Sequence, residues 1–298
     1  MKISVLINTY NRRTLLRKTI AALLAQDYPL GEIELLVLDD SGTDGTFEEL
    51  SARSAEFLAC GLSGFRALRN TGNRGIAYGR GLLAETAAPD SVALLYLDDD
   101  VYVEKDTIGV LVDCLLKGGS RGLAGPRLVY ASAPEKTAHC ANFVGKWSGR
   151  YYESDPSSEL ECDWLNSSCL LVRREALTGV KRADDFYMSH QEVDFCLQLK
   201  NAGYSVIYCP EVRAAHDLPL SGGGRRGRLY YLYRNKLRVF RRNFPPARAF
   251  TASLFMLLFG LPKYLLESFS YNRGVNPEEI KLIFRALIDG LAGRGGKL

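Results

Sequence analysis

Cysteines in a paired or metal-binding spacing are absent from this chain. Its seven cysteines are scattered, and none forms a C-x-x-C motif. This pattern argues against a disulfide framework or a zinc site, so a reducing cytoplasm is the expected compartment. A cleaved signal peptide is also not recognisable, because Met1 and Lys2 lead directly into a strand-like run.

Long hydrophobic runs, repeats and low-complexity tracts are absent as well. The nearly apolar segment Phe250–Leu261 has only about a dozen residues, whereas a membrane-spanning helix needs ~20. The G-x-G-x-x-G fingerprint of dinucleotide-binding proteins is also missing. The turn that contains Gly72 and Gly75 lacks that spacing, which argues against a hydride-transfer enzyme and leaves simple turn geometry as the alternative.

Acidic residues are missing from one long segment, Leu218–Leu266. The whole chain has a formal net charge of +4, and the segment holds ten basic residues, so the remainder carries −6. Such a block favours contact with phosphates, on a lipid surface or on a nucleic acid, and the alternative is a solvated basic helix. The basic residues are Arg225, Arg226, Arg228, Arg234, Lys236, Arg238, Arg241, Arg242, Arg248 and Lys263.

The composition is otherwise that of an ordinary globular protein. The chain has 298 residues, of which 47% are hydrophobic and 24% charged. This length can bury a large core, either in one domain or in one domain with an extension.

Strand-like and helix-like segments alternate through the first hundred residues. This order predicts βαβ units and a mostly parallel, Rossmann-like α/β sheet with helices on both faces. The expected strands are Ile3–Asn8, Ile33–Leu38, Phe65–Leu68 and the run that begins at Val92, and the expected helices are Arg12–Gln26, Thr46–Cys60 and Ile76–Thr86.

Three adjacent aspartates, Asp98, Asp99 and Asp100, follow the apolar run of the fourth strand. Carboxyl ends of parallel strands meet at the edge where open α/β sheets bind ligands. Like charges so close together need a positive partner, and a hard divalent cation is the first candidate. The alternative is a solvated turn. At the same edge, Asp39 is an expected acceptor for a base or ribose.

The second half shows fewer regular patterns. Leu123–Val129 is an expected strand, and the polar segment Ala131–Glu161 is expected to form a long irregular loop over the site. Asp163 and Trp164 then begin a small polar turn. A tryptophan ring can stack on a sugar, although a core position is the alternative.

Two acids, Glu192 and Asp194, lie in the first turn of an expected helix that stops at Gly203. One interpretation is a general base beside a bound donor substrate. The other is a pair of acids that stabilise the helix dipole. Further on, His216 ends a strand, as either a metal ligand or a satisfied polar residue.

Taken together, these segments resemble the inverting family 2 glycosyltransferases of the GT-A fold. Within that family, the chain looks most similar to bacterial rhamnosyltransferase- and galactofuranosyltransferase-type enzymes. The similar motifs, over about residues 3–217 and in the family's order, are V-L-I-N-T-Y-N-R (5–12), L-L-V-L-D-D-S-G-T-D-G-T (35–46), N-T-G-N-R-G-I-A-Y-G-R-G (70–81), L-Y-L-D-D-D-V (95–101), D-W-L-N-S-S-C-L-L-V-R-R (163–174), Q-E-V-D-F-C-L-Q-L-K-N-A-G-Y (191–204) and A-H-D (215–217).

The resemblance implies a role for each matching residue. Asp98 and Asp100 match the D-x-D that binds Mg²⁺ or Mn²⁺ on the donor diphosphate, and His216 matches a further metal ligand. Glu192 matches the catalytic base, with Asp194 as a second candidate. Donor-binding positions correspond to Thr9, Asn11, Arg12, Asp39, Asn70, Arg80, Asp98 and Asp99, and sugar- or acceptor-facing positions to Asp163 and Trp164.

Three positions depart from the family's pattern. Glu192 stands where Asp is usual, Ser167 stands where Gly usually follows the Asp-Trp pair, and Asn8 stands where Pro is common. The side chain of glutamate is longer than that of aspartate and can still reach the acceptor, so we expect an active base at Glu192.

We expect two units, a catalytic domain over residues 1–217 and a basic helical extension over 218–298. The first comprises a nucleotide-binding half (1–101) and an acceptor half (102–217). In the extension, an amphipathic stripe runs from Ile280 to Leu291. It favours lying on an anionic membrane, and the alternative is packing on the catalytic domain or on another subunit.

The resemblance implies an enzyme that moves a sugar from a UDP- or dTDP-sugar to a glycan or polyprenyl-linked acceptor in cell-envelope polysaccharide synthesis. It would work at the cytoplasmic membrane face, with homo-oligomers as a possibility and no nucleic-acid partner. Three alternatives stay open at this point. They are a sugar-1-phosphate nucleotidyltransferase, a non-catalytic sugar-nucleotide binder, and a nucleic-acid-binding protein that uses the basic block.

Overall fold

The computed structural model describes residues 1–219, 225–263, 265–266 and 276–298, and the side chains of 225–228 lie outside the described set. Three basic side chains of the acid-free segment therefore lie outside the described residues, those of Arg225, Arg226 and Arg228. All seven cysteines are free thiols.

The first half alternates strands and helices as expected. The parallel strands β1 to β4 lie in the order β4-β1-β2-β3, so that Asn8 pairs with both Leu38 and Asp98. Their carboxyl ends therefore meet at one edge. The bounds are β1 Ile3–Thr9, α1 Arg13–Leu24, β2 Ile33–Asp39, α2 Thr46–Ala52, α3 Ser54–Ala59, β3 Gly64–Arg69, α4 Ile76–Thr86 and β4 Ala93–Asp98.

The second half extends the same sheet with strands of both directions. β11 runs antiparallel between β4 and β6, and β12 runs parallel to β6. This places the turn before β11 and the end of β12 beside the aspartates. The bounds are β5 Val101–Val103, α5 Thr107–Leu116, β6 Arg121–Tyr130, β7 Ala133–His139, β8 Ala141–Val144, β9 Tyr151–Ser154, β10 Leu160–Cys162, β11 Cys169–Arg173, α6 Gln191–Asn201 and β12 Ser205–His216.

Two hydrophobic cores confirm the expected helices on both faces. One face of the sheet packs on α1 and α5, with Leu23 and Leu111 fully buried. The other packs on α4 and α6, with Leu83 and Leu199 fully buried. The predicted α/β class, with a mostly parallel sheet that has helices on both faces, is therefore confirmed.

The expectation of an irregular loop over Ala131–Glu161 is wrong. Strands β7 to β9 lie within this segment, and β10 begins there. β7 pairs with the C-terminal end of β6, at Leu128–Tyr130, and β8 pairs with β9 in a separate two-stranded sheet. Such edge strands can be polar because one side faces water. The expected single helix over 46–60 is also divided, since it breaks at Arg53.

The C-terminal part consists of helices that pack on the helix layer of the large sheet. They are α7 Arg225–Asn243, α8 Pro246–Phe255, a π-helical turn Met256–Gly260 and α9 Pro277–Ala292. α7 contacts α6, α8 and α9. Two residues of the stripe on α9, Ile283 and Leu287, are buried in this packing, whereas Phe284, Ile288 and Leu291 are exposed. Among the described residues, no helix is long and apolar enough to cross a membrane.

The basic block is not one continuous solvated surface. Arg234 is fully buried, and its guanidinium donates hydrogen bonds to the carbonyls of Phe186 (3.0 Å) and Gly296 (2.6 Å). Arg238 is buried and donates to the carbonyl of Gly293 (2.6 Å). The phosphate-contact interpretation is therefore wrong for these two residues, because their cations hold protein carbonyls.

Replacing Arg234 by methionine tests this arrangement. Arg234→Met keeps the volume but leaves buried carbonyls unpaired, each at a cost of about 1–3 kcal/mol. We expect a clear fall in the urea midpoint of unfolding. The exposed Arg285→Met on α9 is the matched control and should change stability by less than about 0.5 kcal/mol. Equal midpoints for both variants would contradict a structural role for Arg234.

Candidate active site

The site begins with the three aspartates at the end of β4. Asp99 and Asp100 are buried, and each has a partner from a different segment. The Thr9 hydroxyl donates a hydrogen bond to Asp99 (2.6 Å). Arg12 Nη1 contacts both Asp99 (3.1 Å) and Asp100 (2.5 Å). The positive partner expected for the triplet is therefore in part an arginine of the same chain.

Asp98 has a separate partner on the opposite side. Arg80 of α4 donates to Asp98 Oδ1 (2.6 Å) and to the carbonyl of Ser167 (2.7 Å). Because Asp98 N also binds the carbonyl of Ser168 (2.9 Å), the turn before β11 is fixed against the end of β4.

Asp98, Asp100 and His216 form a group suited to a divalent cation. One ligand atom of each lies within 4.8 Å of the other two, and His216 Nε2 is 3.3 Å from Asp100 Oδ1. His216 Nδ1 is buried without a hydrogen-bond partner in the described structure. Two carboxylates and one imidazole are a donor set that Mg²⁺ or Mn²⁺ accepts. These residues therefore fit the expected ion.

The two buried aspartates have pKa values that are shifted in opposite directions. Burial raises the pKa of Asp99 to about 6. Burial also acts to raise the pKa of Asp100, but His216 and Arg12 hold it below its usual value. Asp100 is thus kept ionised, as a metal ligand must be.

Asp39 lies at the end of β2 on the same edge. It is almost fully buried, and its Oδ1 accepts a hydrogen bond from Gly42 N (2.6 Å). Its Oδ2 is buried without a hydrogen-bond partner among the described residues, with Arg69 Nε 3.9 Å away. Burial raises the pKa of this carboxyl. An unpaired buried acceptor is the feature that a bound ring N–H or ribose hydroxyl would satisfy.

Other expected donor-binding residues hold the loops of this edge. Asn11 has a left-handed backbone (φ 53°), and its side-chain oxygen accepts a hydrogen bond from Thr43 N (2.7 Å). Asn70 donates to Asp40 (2.7 Å), which also accepts from the backbone of Arg74 and Gly75. The structure thus brings Thr9, Asn11 and Asn70 to the site with their side chains already bonded to protein. Sequence reasoning missed Asp40, which anchors the 70–75 turn.

Glu192 and Asp194 differ sharply in surroundings, although both lie in the first turn of α6. Glu192 Oε2 is buried without a hydrogen-bond partner in the described structure, and burial raises the pKa of the carboxyl. The nearby charges that act on it include Arg80 and Asp98. A cavity of about 380 Å³ between α4 and α6 has Glu192, Arg80 and Ser167 in its lining.

Asp194 faces away from this site. Its carboxylate accepts hydrogen bonds from Asn243 (2.7 Å) on α7 and from Gln198 (2.8 Å), and Arg242 lies 3.4 Å away. Because both oxygens bind residues of α6 and α7, we correct the prediction of Asp194 as a second base. It joins the two helices.

The polar turn at Asp163 and Trp164 is also bonded into the protein. Asp163 accepts from Lys200 Nζ (2.9 Å) and from Val144 N (2.8 Å). The Trp164 ring lies edge-on to Tyr151, with centroids 5.4 Å apart. Asp163 is therefore held by protein groups, while Trp164 stays a candidate for the acceptor side. Sequence reasoning missed Tyr151, which had no recognisable motif.

The sequence model of the family described as Glycosyl transferase family 2 matches residues 4–179. The chain is 26% identical over 236 residues to an N-acetylglucosaminyl-diphospho-decaprenol L-rhamnosyltransferase of Mycobacterium tuberculosis, covering 72% of this chain and 76% of that protein.

Two solved structures are similar in fold. TarS 1-349 of Staphylococcus aureus in complex with UDP-GlcNAc has a TM-score of 0.64 at 17% identity, with 99% of this chain and 82% of that chain covered. The mannosyltransferase PcManGT of Pyrobaculum calidifontis in complex with GDP-Man and Mn²⁺ has a TM-score of 0.62 at 17% identity, with 100% and 76% covered.

Proposed function

Because the chain belongs to glycosyl transferase family 2 and is thus a glycosyltransferase, we propose metal-dependent, inverting transfer of a sugar from a UDP- or dTDP-sugar to a glycan or polyprenyl-linked acceptor in cell-envelope polysaccharide synthesis. One observation carries the proposal. At a single sheet edge lie a buried Asp39 oxygen that has no hydrogen-bond partner among the described residues and the group Asp98, Asp100 and His216, whose ligand atoms are within 4.8 Å of one another. The rhamnosyltransferase of M. tuberculosis supports the acceptor class.

On the donor side, Asp39 would accept a hydrogen bond from the base. Asp98, Asp100 and His216 would hold Mg²⁺ or Mn²⁺, which neutralises the charge that develops on a leaving diphosphate. Arg80 keeps the Asp98 carboxylate in place through its 2.6 Å contact. Arg12 does the same for Asp100 while leaving the oxygen that faces His216 available.

On the acceptor side, Glu192 would take the proton of the attacking hydroxyl. Glu192 lines the cavity beside Arg80, and its Oε2 has no hydrogen-bond partner among the described residues. A raised pKa brings a carboxylate closer to the range in which a general base works well. With Asp194 turned toward α7, no second carboxylate is positioned as a nucleophile in the described site, which favours a single displacement with inversion.

The enzyme would work as a peripheral protein on the cytoplasmic face of the membrane. Phe250, Leu254 and Leu258 recur at helical spacing on α8 and the turn after it, and all three are exposed. Phe259 and Leu266 extend this apolar stripe, and the segment has no acidic residue. An apolar helix face without acids is suited to an anionic interface. Association of subunits through the C-terminal helices stays a prediction.

Nucleotide titration tests the donor site. We expect UDP or dTDP to bind the wild type with Mn²⁺ or Mg²⁺, and binding to fall at least about tenfold in EDTA or in Asp98→Ala/Asp100→Ala. The tighter nucleotide identifies the base. The matched control, Asp27→Ala/Asp106→Ala, removes two exposed aspartates and should bind as the wild type does. Absence of binding to folded wild-type protein with metal would remove the proposal.

Replacing Glu192 by glutamine tests the base. Glu192→Gln should keep nucleotide affinity and thermal stability while kcat falls by about 10²–10⁴-fold, since the amide cannot accept the proton. Asp194→Ala should instead lower the melting temperature, because Asn243 loses its partner. A fully active Glu192→Gln enzyme would contradict the assignment.

Vesicle co-sedimentation tests the membrane contact. We expect the wild type to bind phosphatidylglycerol vesicles and Leu254→Ser/Leu258→Ser to bind about tenfold or more weakly, since each exposed leucine contributes on the order of 1.5 kcal/mol on insertion. Leu58→Ser/Leu116→Ser removes two equally exposed leucines on α3 and α5 and is the control. Equal loss in both double variants would argue against a specific membrane face.

A further inference from the structure

Three buried polar atoms beside the base have no hydrogen-bond partner in the part of the chain that the structure describes. They are the Tyr151 hydroxyl, Trp164 Nε1 and His190 Nδ1. The three rings form one cluster, because Tyr151 lies 5.4 Å from Trp164 and 5.7 Å from His190 between centroids. Buried polar groups are normally paired, so three unpaired ones in contact point to a ligand that supplies the partners.

A lysine without an acidic partner lies against this cluster. The Lys236 ammonium of α7 lies 4.2 Å from the centre of the Tyr151 ring, and no ion pair to it is found in the described residues. Burial, and then the like charge of Arg150, lower the pKa of Lys236 to about 8. The neighbouring Lys200, in contrast, is paired with Asp163 at 2.9 Å. Holding a part-buried cation beside a second cation is costly unless an anion binds there.

Arg150 follows a turn that packs on the same ring as Lys236, because Gly149 lies against Phe240 and the Lys236 ammonium is 5.9 Å from the centre of the Phe240 ring. Gly149 has a left-handed backbone (φ 61°), and a side chain there would lie 2.5 Å from Phe240 of α7 and 2.9 Å from Ala252 of α8. The turn therefore packs directly on both helices. Arg150 itself is exposed, and it stands next to the helix that carries the apolar stripe.

Tyr151 connects this basic pair to the base. The His190 ring lies 5.7 Å from the Tyr151 ring between centroids, and His190 comes two residues before Glu192 in the chain. The Lys236 ammonium lies 4.2 Å from the centre of the same Tyr151 ring. Burial and then the charge of Glu192 raise the pKa of the Tyr151 hydroxyl. A ligand on this cluster would thus have one end at Glu192 and an anionic end at Lys236 and Arg150.

We infer that Lys236 and Arg150 bind a phosphate or diphosphate group of the acceptor, whose sugar lies against Tyr151 and Trp164 with its reactive hydroxyl toward Glu192. The inference rests on the proposed function, because it takes Glu192 as the base. The Tyr151 hydroxyl and Trp164 Nε1 would donate to sugar oxygens. The acceptor class is then a phosphate-linked glycan, and a neutral glycan would leave both cations unpaired.

Binding of a short prenyl diphosphate tests this site without the reaction. Geranyl diphosphate is titrated in EDTA, so that metal-dependent binding at the donor site does not contribute. We expect saturable binding that weakens about tenfold or more in Lys236→Met and less in Arg150→Gln, with partial recovery in Lys236→Arg. Lys281→Met, at an exposed lysine of α9, is the control.

Three other probes separate the sources of phosphate. Geranyl glucoside, which is neutral, should bind at least tenfold more weakly than geranyl diphosphate. Inorganic pyrophosphate that binds as tightly as the prenyl compound would indicate a free-phosphate site and overturn the acceptor assignment. Loss of phosphatidylglycerol vesicle binding in Lys236→Met, with geranyl diphosphate binding unchanged, would indicate a lipid headgroup and overturn it as well.

The remaining outcomes are also decisive. The inference would be overturned if geranyl diphosphate did not bind the wild type. It would also be overturned if the wild type, Lys236→Met and Arg150→Gln bound this compound with equal affinity. Arg150 is exposed, so Arg150→Gln keeps the test valid even where Lys236→Met folds poorly. Nucleotide binding with Mn²⁺ should be unchanged in both variants, and its absence in the wild type would count against the proposed function instead.

Discussion

The repulsion among three adjacent carboxylates at the end of β4 is the constraint on which the site depends. It is relieved from three directions, by Arg80 of α4, by Arg12 after β1 and by His216 at the end of β12. These partners are far apart in sequence, so the triplet is tolerated only when both halves of the sheet have formed. The same contacts bring together the groups that would hold a cation.

Much of the fold and the centre of the site could be predicted from the sequence. Strands buried on both faces appear as apolar runs, and their carboxyl ends mark Asp39 and Asp98 directly. His216 is a candidate from its position at a strand end, the resemblance favours the metal-ligand alternative, and the structure has it beside Asp100. In each case the signal is local, since one strand and the turn after it contain the information.

Other features have no such local signal. β7 is a polar edge strand, and nothing in its residues separates it from a loop. Glu192 and Asp194 share one helical turn. Only the position of α7 determines that Asp194, and not Glu192, accepts a hydrogen bond from that helix. The sequence predicts a surface position for Arg234, because it lies in a basic segment. In the structure it is buried against carbonyl groups that no sequence pattern reveals. The cluster around Tyr151 was missed because its members come from four separate segments.

The hydrogen bonds of Arg234 and Asn235 also set an order of events during synthesis. Asn235 donates to the carbonyls of Phe186, Met188 and Ser189, in a turn where Tyr187, Ser189 and His190 all have left-handed backbones. Arg234 adds the carbonyl of Gly296 to the same assembly. Conformations of this kind persist only when the surroundings hold them. A ribosome-bound chain that has not yet exposed α7 thus lacks the contacts that hold the turn at the start of α6, where Glu192 lies.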